Sequence, residues 1–157
     1  MTAKTAPSDP HACARLLALL VPALLLGGAF GSQYLGGLYP CEMCHWQRWP
    51  HEVAIALLIV AFLIRPAAQG PLIVLAALAI LASGAIGVFH AGVEYGWWEG
   101  LTRCSSASTS SLQDIMATPL IRCDSPQWTL GGVSLAGFNA FFSIVGGLAI
   151  LALLRRA

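Results

Sequence analysis

The sequence predicts an all-α membrane protein, a transmembrane four-helix bundle formed by all 157 residues as a single integral membrane domain. Hydrophobic residues make up 57% of the chain and charged residues only 10%, against about 25% charged in soluble domains. The apolar residues form four long runs, and a run of about 20 residues crosses the ~30 Å hydrocarbon core of a bilayer. A net charge of +1 excludes a basic surface for nucleic acid.

The first span is predicted at residues 14–34, preceded by a polar tail at residues 1–13. Pro22 is expected to kink this helix. Gly27 and Gly31 provide a small-residue face for a neighbouring helix. A cleaved signal peptide is the alternative interpretation, because basic residues precede an apolar stretch that ends in small residues.

The second span is predicted at residues 46–64. Starting there places Pro50 in the first helical turn, where its missing N–H costs little, whereas a start at Pro50 itself leaves a short helix. The third span is predicted at residues 71–92. It contains three small residues suited to close helix packing: Ser83, Gly84 and Gly87.

The fourth span is predicted at residues 133–154, and two loops, residues 35–45 and 93–132, lie at the opposite side of the membrane from the termini. Within the longer loop, Ser105–Ser111 is typical of a flexible tether. Apolar residues at near-helical spacing from Leu112 to Ile121 follow it. They predict a short amphipathic helix lying on the bilayer, with a plain loop anchored by apolar side chains as the alternative.

The distribution of charge predicts which side each loop faces. The basic residues at the ends of the chain and after the second span are Lys4, Arg15, Arg65, Arg155 and Arg156. Fewer basic residues, mixed with most of the acidic ones, lie on the other side, and all tryptophans lie there as well. Because cytoplasmic loops carry the excess of lysine and arginine, both termini are expected in the cytoplasm.

A Cys-x-x-Cys pair, Cys41 and Cys44, precedes the second span, and Arg48 follows four residues later. Such a pair closes a disulfide and opens it by thiol exchange. The helix amides and the Arg48 guanidinium both favour a thiolate at Cys44. An arginine near hydrocarbon is costly without a role, although a side chain reaching to lipid headgroups is the alternative.

A second pair, Cys104 and Cys123, lies in the long loop on the same side of the membrane as the first pair. This side is opposite the cytoplasm, in the outside or periplasmic compartment where disulfides persist. It forms either a structural disulfide or one that exchanges with the first pair. His90 and Gln33, at the outer ends of two spans, are candidates for contact with a bound redox molecule or simply interfacial polar residues. Cys13, on the cytoplasmic side, is interpreted as a small apolar filler.

Two further interpretations compete for these residues. The stretch Cys41-x-x-Cys44-His45 matches the attachment pattern of c-type haem, which would leave the second cysteine pair and Arg48 without a role. The cysteines of both pairs, Cys41, Cys44, Cys104 and Cys123, could instead bind zinc, but an oxidising compartment disfavours free thiolates. No metal is therefore expected.

Taken together, these residues resemble the DsbB family of bacterial inner-membrane thiol:quinone oxidoreductases. The resemblance rests on Cys41-x-x-Cys44-x-x-x-Arg48 at the head of the second span, the Cys104 and Cys123 pair, and four spans with both termini inside. It covers residues 14–154. Four-helix quinone-linked enzymes of the vitamin K epoxide reductase type follow a similar scheme, with their elements in a different arrangement.

The resemblance implies an order of events. A reduced periplasmic thioredoxin-like oxidase of the DsbA type attacks Cys104 and releases Cys123. Cys123 then attacks Cys41, which frees Cys44 to donate electrons to ubiquinone or menaquinone. Arg48 would stabilise the anion beside the quinone. His90 and Gln33 are the remaining candidates for contact with it.

The resemblance also implies a multi-pass protein of the bacterial inner membrane, with a DsbA-like partner, membrane lipid and the quinone pool as its associates. Two rivals remain at this point. One is a tetraspan c-type haem protein that uses Cys41, Cys44 and His45. The other is a membrane scaffold whose disulfides are inert.

Overall fold

The computed structural model describes residues 10–65, 68–101 and 121–156. These contain a hairpin and four α-helices: α1 (Pro10–Tyr34), α2 (Glu42–Leu63), α3 (Gln69–Glu94), β1 (Thr129–Leu130), β2 (Val133–Ser134) and α4 (Leu135–Leu154). The all-α four-helix bundle is thereby confirmed. The predicted amphipathic helix and Cys104 lie outside the described residues.

The four helices pack side by side. α3 packs along both α2 and α4, and α1 packs against α2 and α4. At one end Arg15 Nη1 of α1 donates to Gln69 Oε1 at the start of α3, 3.0 Å away. At the other end the main-chain N–H of Ser134 donates to the Tyr95 hydroxyl at 2.9 Å. The chain therefore runs up and down through the bundle, as the four predicted spans require.

α2 begins at Glu42, four residues earlier than the predicted start at residue 46. Cys41 is its N-cap residue, and its sulfur accepts a hydrogen bond from the Cys44 N–H at 3.3 Å. Because this cap extends the helix backwards, Pro50 lies in the helix interior instead of the first turn. The Cys-x-x-Cys pair therefore belongs to the helix, where the sequence placed it in the preceding loop.

Small residues pack closely where α3 meets α4. A Cβ added to Gly84 would lie 2.8 Å from Ile144 Cγ1, and one added to Gly87 would lie 3.0 Å from the Ala136 carbonyl oxygen. The predicted close packing at these glycines is confirmed. The matching prediction for Gly27 and Gly31 is wrong, because no described atom lies within 4 Å of a Cβ added at either position.

The bundle has two distinct halves. The terminal half, near the first residues of α1 and the last of α4, has a core of small and branched apolar side chains. They are Ala14, Ala18, Ala54, Leu58, Ile73, Ala76, Ala77, Ile80 and Ile150. The cysteine half contains Cys41, Met43, Val93 and Cys123. Most of the buried polar side chains lie between these two cores and in the cysteine half, whereas Gln69 lies in the terminal half.

The outer face of the bundle is apolar. Side chains such as Leu24, Leu63 and Phe141 are 70%, 81% and 60% exposed. Among the described helices, α1, α3 and α4 are long and apolar enough to cross a membrane. α2 has 22 residues but is polar in its first half. A soluble monomer rarely exposes apolar patches of this extent, so the chain is a membrane protein.

A tight hairpin leads into α4. Gly131 and Gly132 have φ angles of 59° and 82°, the left-handed conformation that a two-residue turn of this type requires at both positions. The Ser134 hydroxyl then caps α4 by accepting from the Gly137 N–H at 3.1 Å. The fourth helix therefore begins at Leu135, two residues after the predicted start at residue 133.

Candidate active site

Two cysteine sulfurs meet at the first turn of α2. Cys41 Sγ and Cys44 Sγ lie 3.0 Å apart, and Cys41 is only 3% exposed. The hydrogen bond between the two sulfurs raises the pKa of the Cys41 thiol above its usual value, and burial raises it further. In the reduced pair these two effects favour the protonated form of Cys41.

Cys123 lies beside the first cysteine pair. Its side chain packs with Cys41, Met43 and Val93 in the core of the cysteine half. No disulfide joins the four described cysteines, Cys13, Cys41, Cys44 and Cys123. The structure thus brings one member of the second predicted pair to the first pair. The other member, Cys104, lies outside the described residues.

His90 also contacts Cys41. Its Nε2 lies 3.5 Å from Cys41 Sγ and 3.7 Å from Glu94 Oε1. Its Nδ1 lies 2.7 Å from Gln47 Nε2, which can only donate, so Nδ1 accepts and Nε2 carries the proton. The imidazole is thereby oriented to donate toward Cys41 and Glu94.

Arg48 lies one turn after Cys44 and is 8% exposed. Its Nη1 donates to Gln33 Oε1 at 2.6 Å, and its Nη2 donates to the Ala29 carbonyl at 3.0 Å. Its guanidinium also lies 5.1 Å from the centre of the Phe30 ring. Because α1 holds this side chain inside the bundle, Arg48 does not extend to lipid headgroups. The contact between Gln33 and Arg48 joins two residues that the sequence predicted separately.

Two cavities meet at Cys44 and Arg48. A small one of about 60 Å³ also touches Cys41, His90 and Glu94. A larger one of about 200 Å³ lies between α1, α2 and α4. Its wall is formed by Leu24, Leu25, Leu26, Gly28, Ala29, Ser32, Cys44, Gln47, Arg48, His51, Leu135, Ala136, Phe138 and Asn139. Leu24 and Leu135, both exposed on the outside of the bundle, form part of its rim.

Sequence reasoning missed a set of buried polar side chains next to the larger cavity. His51 is 2% exposed, and Ser83 and Ser143 are fully buried. His51 Nε2 lies 2.9 Å from both Asn139 Oδ1 and Ser83 Oγ. Polar residues inside apolar spans are rare and usually functional, so His51 and Asn139 were visible in the sequence as exceptions within apolar runs.

The first cysteine pair also offers ligands to a metal ion. Cys41 Sγ, Cys44 Sγ and a ring nitrogen of His90 all lie within 4.8 Å of one another. Two thiolates and an imidazole suit zinc. The haem alternative fits less well, because the buried Cys41 adjoins a cavity of about 60 Å³, far smaller than a porphyrin.

Comparison with known proteins agrees with the site geometry. A family model described as "Disulfide bond formation protein DsbB" matches residues 11–153. The chain is also 25% identical over 152 residues to "Uncharacterized protein RP370" of Rickettsia prowazekii (strain Madrid E). That alignment covers 92% of this chain and 88% of the relative. No solved structure matches the chain.

Proposed function

This chain belongs to the DsbB family of disulfide bond formation proteins, and we propose that it is a quinone-dependent oxidoreductase that reoxidises a periplasmic dithiol oxidase of the DsbA type. The family itself establishes an oxidoreductase of disulfide formation. The quinone, the partner and the order of sulfur exchange are the content of the proposal.

The observation that carries the proposal is the position of Cys44. Its sulfur lies 3.0 Å from Cys41 Sγ, and the residue also lines the cavity of about 200 Å³. A sulfur in this position can exchange with a disulfide on one side and react with a cavity occupant on the other. Arg48 lines the same cavity and supplies the only arginine or lysine charge among the described residues of its wall.

The exchange steps use the remaining cysteines. A thiolate of the partner attacks Cys104, forming a mixed disulfide and releasing Cys123 as a thiolate. Cys123 attacks Cys41, which forms the Cys41–Cys123 disulfide and releases Cys44 as a thiolate. The partner's second thiol resolves the mixed disulfide and frees Cys104. The contact between Cys123 and Cys41 supports the second step.

The larger cavity fits a quinone headgroup. Leucine side chains and Phe138 provide apolar walls for a flat ring, and Cys44 and Arg48 provide a polar edge. When bound, a quinone supplies an acceptor for two electrons and two protons. Arg48 would hold negative charge beside Cys44. Gln33 would position the Arg48 guanidinium through their 2.6 Å hydrogen bond.

His90 acts on Cys41 and not on Cys44. Its Nε2 is 3.5 Å from Cys41 Sγ, so this imidazole stabilises the Cys41 sulfur during exchange with Cys123. It lines the small cavity together with Cys44 and Arg48. His90 would contact a quinone from that side, as the resemblance implies.

The proposal places the cysteine half at the periplasmic face of a bacterial inner membrane. Arg15 and Arg65 lie toward the terminal half, where the positive-inside rule expects the cytoplasm. The four functional cysteines then lie in the compartment where disulfides persist. Both termini are cytoplasmic in this orientation.

Quinone reduction by the purified full-length protein tests the proposal. Reduced DsbA-type protein is mixed with short-chain ubiquinone or menaquinone, and the loss of quinone absorbance is followed. We expect turnover that requires both substrates and disappears in Cys44→Ser. Oxidation of the partner without any consumption of quinone would contradict the quinone part of the proposal and leave the family assignment intact.

A further inference from the structure

A hydrogen-bonded cluster of polar side chains crosses the bundle between the cysteines and the core of the terminal half. His51 of α2 contacts Ser83 of α3, and Asn139 and Ser143 of α4. Gln47 of α2 joins the cluster because its Oε1 accepts from Asn139 Nδ2 at 2.9 Å. His51, Gln47 and Asn139 also line the cavity of about 200 Å³.

The main-chain groups of the cluster determine which atoms donate. Asn139 Nδ2 lies 3.2 Å from the Ser83 carbonyl oxygen, which only accepts. The Asn139 amide must therefore point its nitrogen there and its Oδ1 toward His51 Nε2, 2.9 Å away. The Ser83 hydroxyl donates to the main-chain carbonyl of Gln47 at 2.7 Å. The Ser83 hydroxyl oxygen therefore accepts from His51.

Ser143 provides a third acceptor for His51. Its hydroxyl donates to Asn139 Oδ1 at 3.2 Å and presents its lone pairs to His51 Nε2 at 3.3 Å. His51 Nε2 thus faces three acceptors and must carry the proton. In a neutral imidazole the other ring nitrogen then has a lone pair and only accepts.

His51 Nδ1 is that second nitrogen. It is buried, with less than 1 Å² exposed, and has no hydrogen-bond partner among the described residues. A buried acceptor without a donor costs free energy, and a donor that reached Nδ1 from the cavity that His51 lines would recover that cost. Gln47 and Asn139 line this cavity beside His51, and leucine side chains and Phe138 form much of the rest of its wall. A flat ring that carries a hydroxyl donor would match both the apolar wall and the unpartnered Nδ1.

We propose that His51 Nδ1 accepts a hydrogen bond from a hydroxyl of the reduced ring, the quinol, so that this cavity distinguishes quinol from quinone. The inference rests on the proposed function, since it assumes that the cavity holds a quinone headgroup. The two oxygens of a quinone only accept hydrogen bonds and gain nothing from Nδ1. The hydroxyls of a quinol donate. His51 is a binding residue for the reduced product.

Equilibrium binding tests this proposal with no turnover. Full-length protein with Cys41 and Cys44 replaced by serine, which can neither give electrons to a quinone nor take them from a quinol, is dialysed under anaerobic conditions against short-chain ubiquinone or ubiquinol. The ratio of the two dissociation constants is measured in two variants. His51→Gln keeps a donor near the Nε2 position and loses the acceptor, whereas His51→Asn keeps an acceptor near the Nδ1 position and loses the donor.

In His51→Gln we expect quinol affinity to fall about fivefold relative to quinone affinity, the effect of one neutral hydrogen bond. In His51→Asn we expect this ratio to stay within about twofold of the original, while the melting temperature falls because Nε2 no longer joins α3 to α4. An unchanged ratio in His51→Gln, or an equal fall in both variants, would overturn the assignment.

A measurement on the unsubstituted protein keeps the proposal open to refutation if a variant fails to fold. Ubiquinol should shift the NMR resonance of the unprotonated His51 ring nitrogen, and ubiquinone should leave it in place. Equal shifts with both ligands would refute the inference. Binding of neither ligand would instead count against the proposed function, so the two failures are distinguishable.

Discussion

Two arginines at opposite ends of the bundle are held by nearly the same set of groups. Arg48 Nη1 donates to Gln33 at 2.6 Å and its guanidinium lies 5.1 Å from the centre of the Phe30 ring. Arg15 Nη1 donates to Gln69 at 3.0 Å and lies 5.8 Å from the centre of the Phe62 ring. The local contacts alone therefore do not make an arginine part of a redox site.

The surroundings separate the two arginines. Arg48 adjoins Cys44 and both cavities, in a part of the bundle where His51, Gln47 and Ser83 occupy core positions. Arg15 adjoins a core of alanine, leucine and isoleucine. The terminal half is therefore packed mainly by apolar side chains, whereas the cysteine half gives up apolar packing to hold polar groups.

Orientation gives the largest expected contrast between the halves. The native cysteines Cys41 and Cys123 are buried, so exposed positions in a variant without cysteines report the topology better. Leu35→Cys at the cysteine end should react with a membrane-impermeant maleimide in intact spheroplasts. Ala68→Cys at the other end should react only after lysis. The reverse pattern would place the functional cysteines in the cytoplasm and contradict the proposed orientation.

Trapping of the partner is also expected to be all or none. In Cys123→Ser, Cys104 is a free thiol that attacks the disulfide of the oxidised DsbA-type partner, and because Cys123 is absent it cannot displace the partner again, so the mixed disulfide should accumulate on non-reducing gels. Cys104→Ser should trap none, because Cys123 is proposed to attack Cys41 instead. Equal trapping by the two variants would show that the roles of these cysteines are assigned wrongly.

Arg48→Ala should lower quinone-dependent turnover about a hundredfold, because the charge beside Cys44 is lost. Trapping at Cys104 should continue in this variant. Arg48→Lys should restore only part of the rate, since an ammonium lacks the planar fork of the guanidinium. Arg15→Ala is the matched control and should stay within about twofold. Steady-state kinetics at varied quinone measure all three, and similar losses in Arg48→Ala and Arg15→Ala would indicate a structural effect only.

Gln33→Leu should give a smaller loss of turnover, about tenfold, because Arg48 keeps its bond to the Ala29 carbonyl but loses its tighter anchor. Gln69→Leu removes the equivalent contact of Arg15. It should lower stability by about 1 kcal/mol and leave turnover per folded molecule unchanged. Thermal melts alongside kinetics separate the two effects. A greater loss of turnover in Gln69→Leu than in Gln33→Leu would contradict the proposed difference between the two ends of the bundle.

The sequence predicted the helices within a few residues because apolar runs of membrane length have few alternatives in hydrocarbon. It also placed Arg48 beside Cys44, since residues four apart share a helix face. The start of α2 was missed because sulfur is not among the usual N-cap side chains. The cap that Cys41 provides is seen only in the structure.

Contacts between helices were harder to predict. Gly84 and Gly27 occur in similar small-residue patterns, yet only Gly84 faces a neighbouring helix. The bond between Gln33 and Arg48 depends on how far α1 and α2 are shifted along each other, which no local pattern specifies. The cluster around His51 joins side chains of three helices. It could not be predicted for the same reason, because the positions of the helices relative to one another were not known.

The position of the larger cavity affects how kinetics with this protein are read. Leu24 and Leu135 line this cavity and are exposed on the outer face of the bundle, so under the proposed function a quinone would enter it from within the lipid. The concentration that governs binding is then the ligand's mole fraction in the surrounding bilayer or micelle. Adding detergent at a fixed amount of quinone dilutes the ligand in that phase, and the apparent KM expressed per volume of solution rises with it.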